Sequence, residues 1–225
     1  MKVFIIEDDP SIFALIKERF EQWQLTVSAP RNFQKVMDDF LVEQPQIVLI
    51  DIQLPAFDGF HWCREIRALS NVPVLFLSSR DHPMDMVMAM QMGADDFVQK
   101  PFHMEVLVAK VQALLRRTYD YKEETQDQLM WNNAVIDFMR SEISYDGQTV
   151  QLTKNELFIL RVLLEQKDKI VSRDTLMRKL WDDDRFVNDN TLTVNVNRLR
   201  QSLEQLGLGK VIVTKKGLGY MAVTI

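Results

Sequence analysis

Four short apolar runs in this chain each end in a residue that can do chemistry. Glu7-Asp8-Asp9 follows the run at 2–6, Asp51 closes the run at 47–51, Ser78 ends 72–78 and Lys100 ends 96–100. Ile47-Val48-Leu49-Ile50-Asp51 is too short for a helix core and rich in β-branched residues, so it reads as a strand buried on both faces. Solvent then reaches only its ends. Asp51 belongs at the carboxyl mouth of a parallel sheet, where open α/β sheets bind ligands. Strand C-termini in such a sheet share one edge, so these polar groups converge. Three or more carboxylates in one cleft repel each other unless a cation neutralises them, and oxygen ligands with open water positions favour Mg²⁺. A carboxylate beside such an ion can attack a phosphoryl group and form an acyl phosphate. Ser78 can donate to a phosphoryl oxygen, and Lys100 can balance its charge. Taken singly, each is as well read as a solvated strand-end residue. The combination, with Lys100-Pro101 just after a strand, favours the phosphoryl chemistry.

The elements that must hold these groups follow from periodicity. Strands are expected over 2–6, 25–29, 47–51, 72–78 and 96–100. Helices are expected over 11–23, 33–41, 60–68, 84–92 and 105–117, the fourth stopped by Gly93. Residues 54–59 form a turn with Pro55 and Gly59 at its breaks. Five strands alternating with five helices predict a doubly wound α/β fold on a five-stranded parallel sheet. Residues 118–128 are polar, lack apolar periodicity and read as a linker between domains at 1–117 and 129–225. The net charge of −5 divides unevenly: 13 basic and 20 acidic residues over 1–128, against 14 and 12 over 129–225. Two domains with different partners are implied, the second too weakly basic for strong non-specific nucleic-acid binding. No apolar run approaches the roughly 20 residues of a membrane span. The acidic start excludes a signal peptide, and a single cysteine, Cys63, suits a reducing cytosol and reads as a small buried hydrophobe.

In the second domain, 129–138 and 142–152 alternate apolar and polar residues around an Asp146-Gly147 hairpin, predicting a small antiparallel sheet. Thr153-Lys154-Asn155-Glu156 is a capping box opening a helix over 156–165. Ser172 caps a second helix running to 181, and 191–206 is a third. One face of the third is expected to show Thr193, Asn195, Asn197, Arg198, Arg200 and Gln201, with Thr191 at its start. Asparagine can pair with adenine and arginine with guanine or phosphate, so this face suits a major groove. The tail, 211–223, is a hairpin with Lys215 and Lys216 at its tip, a plausible phosphate clamp. An ordinary solvated helix face and hairpin is the rival reading. The order sheet, three helices, basic hairpin weighs against it.

Over 2–117 the sequence resembles the receiver domain of bacterial response regulators. The residues that carry the likeness are Glu7-Asp8-Asp9, Asp51 with Leu54-Pro55 and Asp58-Gly59, Ser78, Gly93-Ala94-Asp95-Asp96-Phe97 and Lys100-Pro101-Phe102. The resemblance implies that Asp51 accepts phosphate from a sensor histidine kinase. It implies Mg²⁺ ligation by Asp8, Asp51 and the Gln53 carbonyl, with Glu7 or Asp9 contributing directly or through water. It implies a switch pair, Ser78 and Phe97, and a cis peptide at Pro101. In this subfamily the edge of the sheet usually makes a dimer face through charged pairs. Met88 and Val106 stand here where the basic residue and the glutamate usually fall, while Asp95 or Asp96 can still pair with Lys110. A homodimer face more apolar than typical is therefore expected.

Over 129–225 the chain resembles the winged-helix effector domain of the OmpR/PhoB family, on Leu152-Thr153-Lys154-Asn155-Glu156, Val171-Ser172-Arg173, Leu176, Trp181, residues 191–200 and Gly217-Leu218-Gly219-Tyr220. This implies a transcription regulator binding promoter direct repeats as a dimer. Asn190 stands where the family usually has arginine and Asn195 where it commonly has histidine, which leaves base preference open. Asp182-Asp183-Asp184-Arg185-Phe186 falls in the loop that touches RNA polymerase in some relatives, and its carboxylates cannot comfortably face DNA. Trp62-Cys63-Arg64 and the stretch from Asp81 to Asp85 look like the branch that answers cell-envelope stress and antimicrobial peptides in Gram-positive bacteria. Two rival functions are weaker. An aspartyl phosphatase would need a second carboxylate where Gln53 stands, and a degenerate receiver would not retain Asp8, Asp9, Asp51, Ser78 and Lys100.

Overall fold

The computed structural model describes residues 1–79, 83–120, 128–181 and 189–224. The chain divides into two units, Met1–Thr118 and Tyr119–Ile225. In the first, β1 (Lys2–Ile6), β2 (Thr26–Ser28), β3 (Ile47–Asp51), β4 (Val74–Ser78) and β5 (Asp96–Gln99) form one parallel sheet in the order β2-β1-β3-β4-β5. Every residue of β3 and β4 is buried, as their unbroken apolar runs require of strands covered on both faces. The cover comes from α1 (Pro10–Gln22), α2 (Val36–Glu43), α3 (Gly59–Leu69), α4 (Pro83–Gln91) and α5 (Met104–Leu115). The strand order reverses between β1 and β3, and a crevice opens outside the carboxyl ends of strands at such a switch. Glu7 and Asp8 after β1 and Asp51 at the end of β3 meet at that crevice.

Local chemistry sets the element boundaries. Asp9 caps α1, its Oδ1 accepting from the backbone N–H groups of Ser11 at 2.8 Å and Ile12 at 3.2 Å, with Pro10 at the first helical position. Asp58 caps α3 by accepting from His61 N at 2.9 Å. The second helix begins at Val36 rather than 33, because the Asn32 side chain accepts from Gln34 N at 2.8 Å and holds a turn there. Arg67, near the end of α3, donates to the Gly93 carbonyl at 2.8 Å, to the Val72 carbonyl and to the Asp95 carboxylate at 2.7 Å. Asp95 also accepts from Val74 N at 2.9 Å. One guanidinium thus ties the end of α3 to the starts of β4 and β5.

The second unit opens with an antiparallel sheet of four strands, β6 (Gln128–Trp131), β7 (Ala134–Asp137), β8 (Glu142–Tyr145) and β9 (Gln148–Gln151), paired in sequence order. The expected strand at 129–138 is in fact two. Asn132 and Asn133, at φ 50° and 62°, make a two-residue turn that asparagine tolerates and that strand periodicity alone does not register. Asp146 and Gly147, at φ 49° and 76°, make the expected second hairpin. Next come α6 (Lys154–Glu165), β10 (Val171–Ser172), α7 (Arg173–Trp181), α8 (Asp189–Gln205), β11 (Ile212–Lys215) and β12 (Gly219–Ala222). The capping box on α6 is complete: Thr153 Oγ1 accepts from Glu156 N at 3.4 Å, and Glu156 Oε2 accepts from Thr153 N at 2.7 Å. β10 was not expected as a strand. It adds to the hairpin to give the order β10-β12-β11, so the wing is a three-stranded sheet rooted beside α7. The core joins Ile136 and Ile143 of the first sheet, Leu160 and Leu163 of α6, and Leu192, Val196 and Leu199 of α8.

Candidate functional site

β1 delivers Glu7 and Asp8, and β3 delivers Asp51, to one point. A carboxylate oxygen of each lies within 4.8 Å of the others, with Glu7 and Asp51 buried and Asp8 exposed. Lys100 Nζ donates to Glu7 Oε2 and to Asp51 Oδ2, both at 2.6 Å, and bridges the ends of β1 and β3. Asp51 Oδ1 accepts from Gln53 N at 3.0 Å. The Lys100–Pro101 peptide is cis. Gly59 lets α3 begin hard against this point, for a Cβ there would lie 2.2 Å from the Asp51 carbonyl oxygen.

Three carboxylates against one ammonium leave the cluster short of positive charge, and all the side-chain donors are oxygens. The set fits a hard divalent cation. Between the two candidates for the further acidic ligand, the geometry separates Glu7 from Asp9. Glu7 belongs to the cluster, whereas the Asp9 carboxylate is taken up in capping α1. Those backbone N–H groups of Ile12 and Ser11 hold Asp9 below the usual carboxylate range. Burial pushes the Glu7 carboxyl above its ordinary 4.5, and the nearby Asp51 charge adds to this, against the opposing pull of Lys100. For Lys100, burial acts to lower the ammonium, but hydrogen bonds and charge from Asp51 and Glu7 outweigh it and raise the group.

A pH dependence follows. A raised folded-state value means that the protonated form of Glu7 is favoured in the fold. Its contribution to stability is full below 4.5 and is lost as pH rises through the raised value. A cation must displace that proton, so divalent affinity falls as pH is lowered through a range where an ordinary glutamate is still ionised. Calorimetric titration of Mg²⁺ at a series of pH values should show this slope. Glu7→Gln should flatten it and weaken binding about 10–100-fold. A slope unchanged by Glu7→Gln would place the titrating group elsewhere.

Ser78 and Phe97 are both buried, Ser78 completely and Phe97 to 9% exposure. Ser78 ends β4 beside β3, opposite Gln99 of β5. Of the residues expected on the edge face, Met88 is 42% exposed and Val106 half-buried. The charged members are satisfied within the chain. Lys110 Nζ donates to both Asp96 oxygens at 2.9 Å, and Asp95 is fully buried in its pair with Arg67. Residues 182–186, expected to touch RNA polymerase, and most of the expected linker at 118–128 lie outside the described residues.

In the second unit the exposed face of α8 is narrower than the sequence suggested. Asn197 and Gln201 are exposed, with Thr193 and Arg200 half-buried beside them. Thr191 and Asn195 do not: they are 3% and 0% exposed, and Asn195 Nδ2 donates to the Thr191 carbonyl at 2.9 Å. Arg198 turns instead to Glu156, 3.5 Å away, with a side chain only 13% exposed. The cause is the helical period. Leu192, Val194 and Val196 alternate, but at 100° per residue Asn195 falls on the stripe with Leu192, Val196 and Leu199. Asn195→Leu should therefore leave operator affinity within about twofold, whereas Asn197→Ala should lower it about tenfold, the size of one lost base contact. Fluorescence anisotropy with a labelled operator distinguishes the two; equal losses would restore Asn195 to the DNA face. Lys215 and Lys216 are exposed at the β11–β12 turn.

Two family models match the chain. The response regulator receiver domain covers residues 3–112, and the C-terminal domain of transcriptional regulatory proteins covers 147–222. The chain is 58% identical over 221 residues to the sensory transduction protein BceR of Halalkalibacterium halodurans, covering 98% of this chain and 96% of that one. It is 52% identical over 222 residues to the response regulator protein GraR of Staphylococcus aureus, covering 99% of both. Among solved structures it is similar to DrrB, an OmpR/PhoB homologue of Thermotoga maritima, with a TM-score of 0.50 and 26% identity over 99% of this chain and 98% of that one.

Proposed function

Because the chain belongs to the response regulators that join a receiver domain to an OmpR/PhoB-type DNA-binding domain, we propose that Asp51 is its phosphoacceptor and that Glu7, Asp8 and Asp51 with the Gln53 carbonyl hold Mg²⁺. The observation that carries this reading is the meeting of three carboxylates and Lys100 at the switch point of the parallel sheet. The donor is a phosphohistidine on a sensor kinase. The Asp51 carboxylate attacks phosphorus, a P–O bond forms, the P–N bond to imidazole breaks, and the imidazole leaves with the bonding pair. The cation, when bound, supplies the charge neutralisation that lets a carboxylate approach a phosphoryl group. Lys100 already touches Asp51 and is placed to compensate the added oxygens. Ser78, one strand over, offers a hydroxyl to those oxygens, with Phe97 on the neighbouring strand β5 as its switch partner. No turnover of a separate substrate belongs to this reading.

The output is a change in self-association that sets the local concentration of paired DNA-binding domains. With Lys110, Asp96 and Asp95 satisfied internally, the homodimer face offers Met88 and Val106 as apolar contact. The DNA face consists of Thr193, Asn197 and Arg200 on α8 with Lys215 and Lys216 on the wing, reading promoter direct repeats. The acidic run from Asp182 to Asp184 suits RNA polymerase better than phosphate. A cytoplasmic location and a role in cell-envelope stress and antimicrobial-peptide resistance complete the reading. The test is to incubate the protein with Mg²⁺ and acetyl phosphate, then measure acyl-phosphate incorporation, mass in solution and operator affinity together. Incorporation at Asp51 with gains in both mass and affinity supports the reading; incorporation that changes neither overturns it.

A further inference from the structure

Arg173 opens α7 immediately after β10, and it touches both halves of the DNA-binding surface. Its Nη1 donates to the Tyr220 hydroxyl at 2.5 Å, and its Nη2 donates to Thr193 Oγ1 at 2.9 Å. Tyr220 is on the inner strand of the wing and is 3% exposed. Thr193 is on the exposed face of α8. The guanidinium carbon of Arg173 also lies 5.4 Å from the Tyr220 ring centroid. A second arginine works from the other direction. Arg200, on α8, has its guanidinium carbon 5.8 Å from the same ring, and it donates to the Ile212 carbonyl at 3.1 Å and to Thr214 Oγ1 at 2.7 Å on β11.

The wing and α8 are therefore held to one another through a single buried phenol and two cations. A planar fork with donors on both sides can make two directed bonds at once, which a lysine ammonium on a flexible stem cannot fix in the same way. The backbone underneath is equally constrained. Gly219 pairs with Ser172, and a Cβ at Gly219 would fall 2.0 Å from the Val171 carbonyl oxygen. The strand that carries Tyr220 thus runs directly against the strand that delivers Arg173.

We propose that Arg173 is a positioning residue that sets the angle between the wing and α8, so that Lys215 and Lys216 reach phosphate while Asn197 reaches bases. This rests on the DNA-binding reading above. A positioning role and a phosphate contact leave different marks. Loss of one phosphate contact lowers the slope of log affinity against log salt by about one and weakens all sequences alike. Loss of positioning lowers the preference for the operator over unrelated DNA and leaves the slope nearly unchanged.

The experiment measures affinity of the full chain for operator and scrambled duplexes over a salt series, for wild type, Arg173→Lys, Arg173→Met and Tyr220→Phe, with melting curves for each. The expected result is a loss of about tenfold in operator preference for Arg173→Met, the size of one mismatched base pair, with little change in slope. Arg173→Lys should recover only part of it. Arg173→Met and Tyr220→Phe together should cost less than the sum of the two, as residues sharing one contact do. A slope reduced by about one with operator preference intact would make Arg173 a phosphate contact and overturn the proposal, as would full rescue by lysine. If wild type itself shows no operator preference, the failure belongs to the DNA-binding reading and not to Arg173.

Discussion

Asp51→Asn should remove acyl-phosphate incorporation altogether, to the background of an uncatalysed mixture. The amide lacks the negative oxygen that must attack phosphorus, and the 2.6 Å ion pair with Lys100 becomes a weaker bond from an ammonium to a neutral acceptor. The fold should survive the change, because asparagine keeps the shape of the side chain and β3 stays paired with β1 and β4 through its backbone. Labelling by acetyl phosphate that is labile to base and to hydroxylamine, read by intact mass before and after hydroxylamine, gives the answer directly. Label retained on Asp51→Asn would move the acceptor to another carboxylate of the cluster. The same preparation tests the dimer face. Phosphorylated wild type should gain mass in sedimentation. Phosphorylated Met88→Asp should stay monomeric while still taking label, since Met88 lies on α4 and outside the acidic cluster. A dimer that survives Met88→Asp would shift the contact away from α4.

The second large effect is predicted at Gly219. Its φ of 151° is a conformation that side chains rarely adopt. A methyl group would also sit 2.0 Å from a backbone oxygen that cannot rotate away. Gly219→Ala must therefore part β12 from β10, and the cost should reach or exceed the 1–3 kcal/mol typical of an overpacked site. Because Tyr220 is the next residue, the wing should lose its place against α8. Thermal melting should show the second unit destabilised with receiver labelling intact, and operator binding should fall to the non-specific level. A wild-type melting curve for Gly219→Ala would mean that the strand contact relaxes more easily than its geometry indicates.

How far the sequence carried depended on which period governed each stretch. The receiver was legible because its strands are continuous apolar runs with a polar full stop. Glu7, Asp51, Ser78 and Lys100 all sit at that stop, and no long-range information is needed to find them. What it left open was Glu7 against Asp9, two residues apart on one loop. The hydrogen bonds from Ser11 and Ile12 to Asp9 are what separates them, and only the start of α1 fixes those. In the second unit the alternation over 192–196 pointed to the wrong helix face, so Thr191, Asn195 and Arg198 were expected outward. Counting by 3.6 from Leu199 would have turned Asn195 inward. The strand at Val171–Ser172 had no signal at all: two residues show no periodicity, and their pairing exists only because β12 arrives from almost fifty residues later.

The Lys100 bridge bears on what kind of message can leave the pocket. At rest, three carboxylates and one ammonium stand within a few ångströms. A divalent ion would bring that tally close to zero, and phosphorylation would then alter it by only about one elementary charge. A change that small is screened over about 8–10 Å in physiological salt, less than the breadth of the sheet. The far field of the receiver thus stays nearly constant through the cycle. On the reading proposed above, news of Asp51 would have to move as displaced atoms, for which Ser78 and Phe97 are the proposed carriers, rather than as an altered potential.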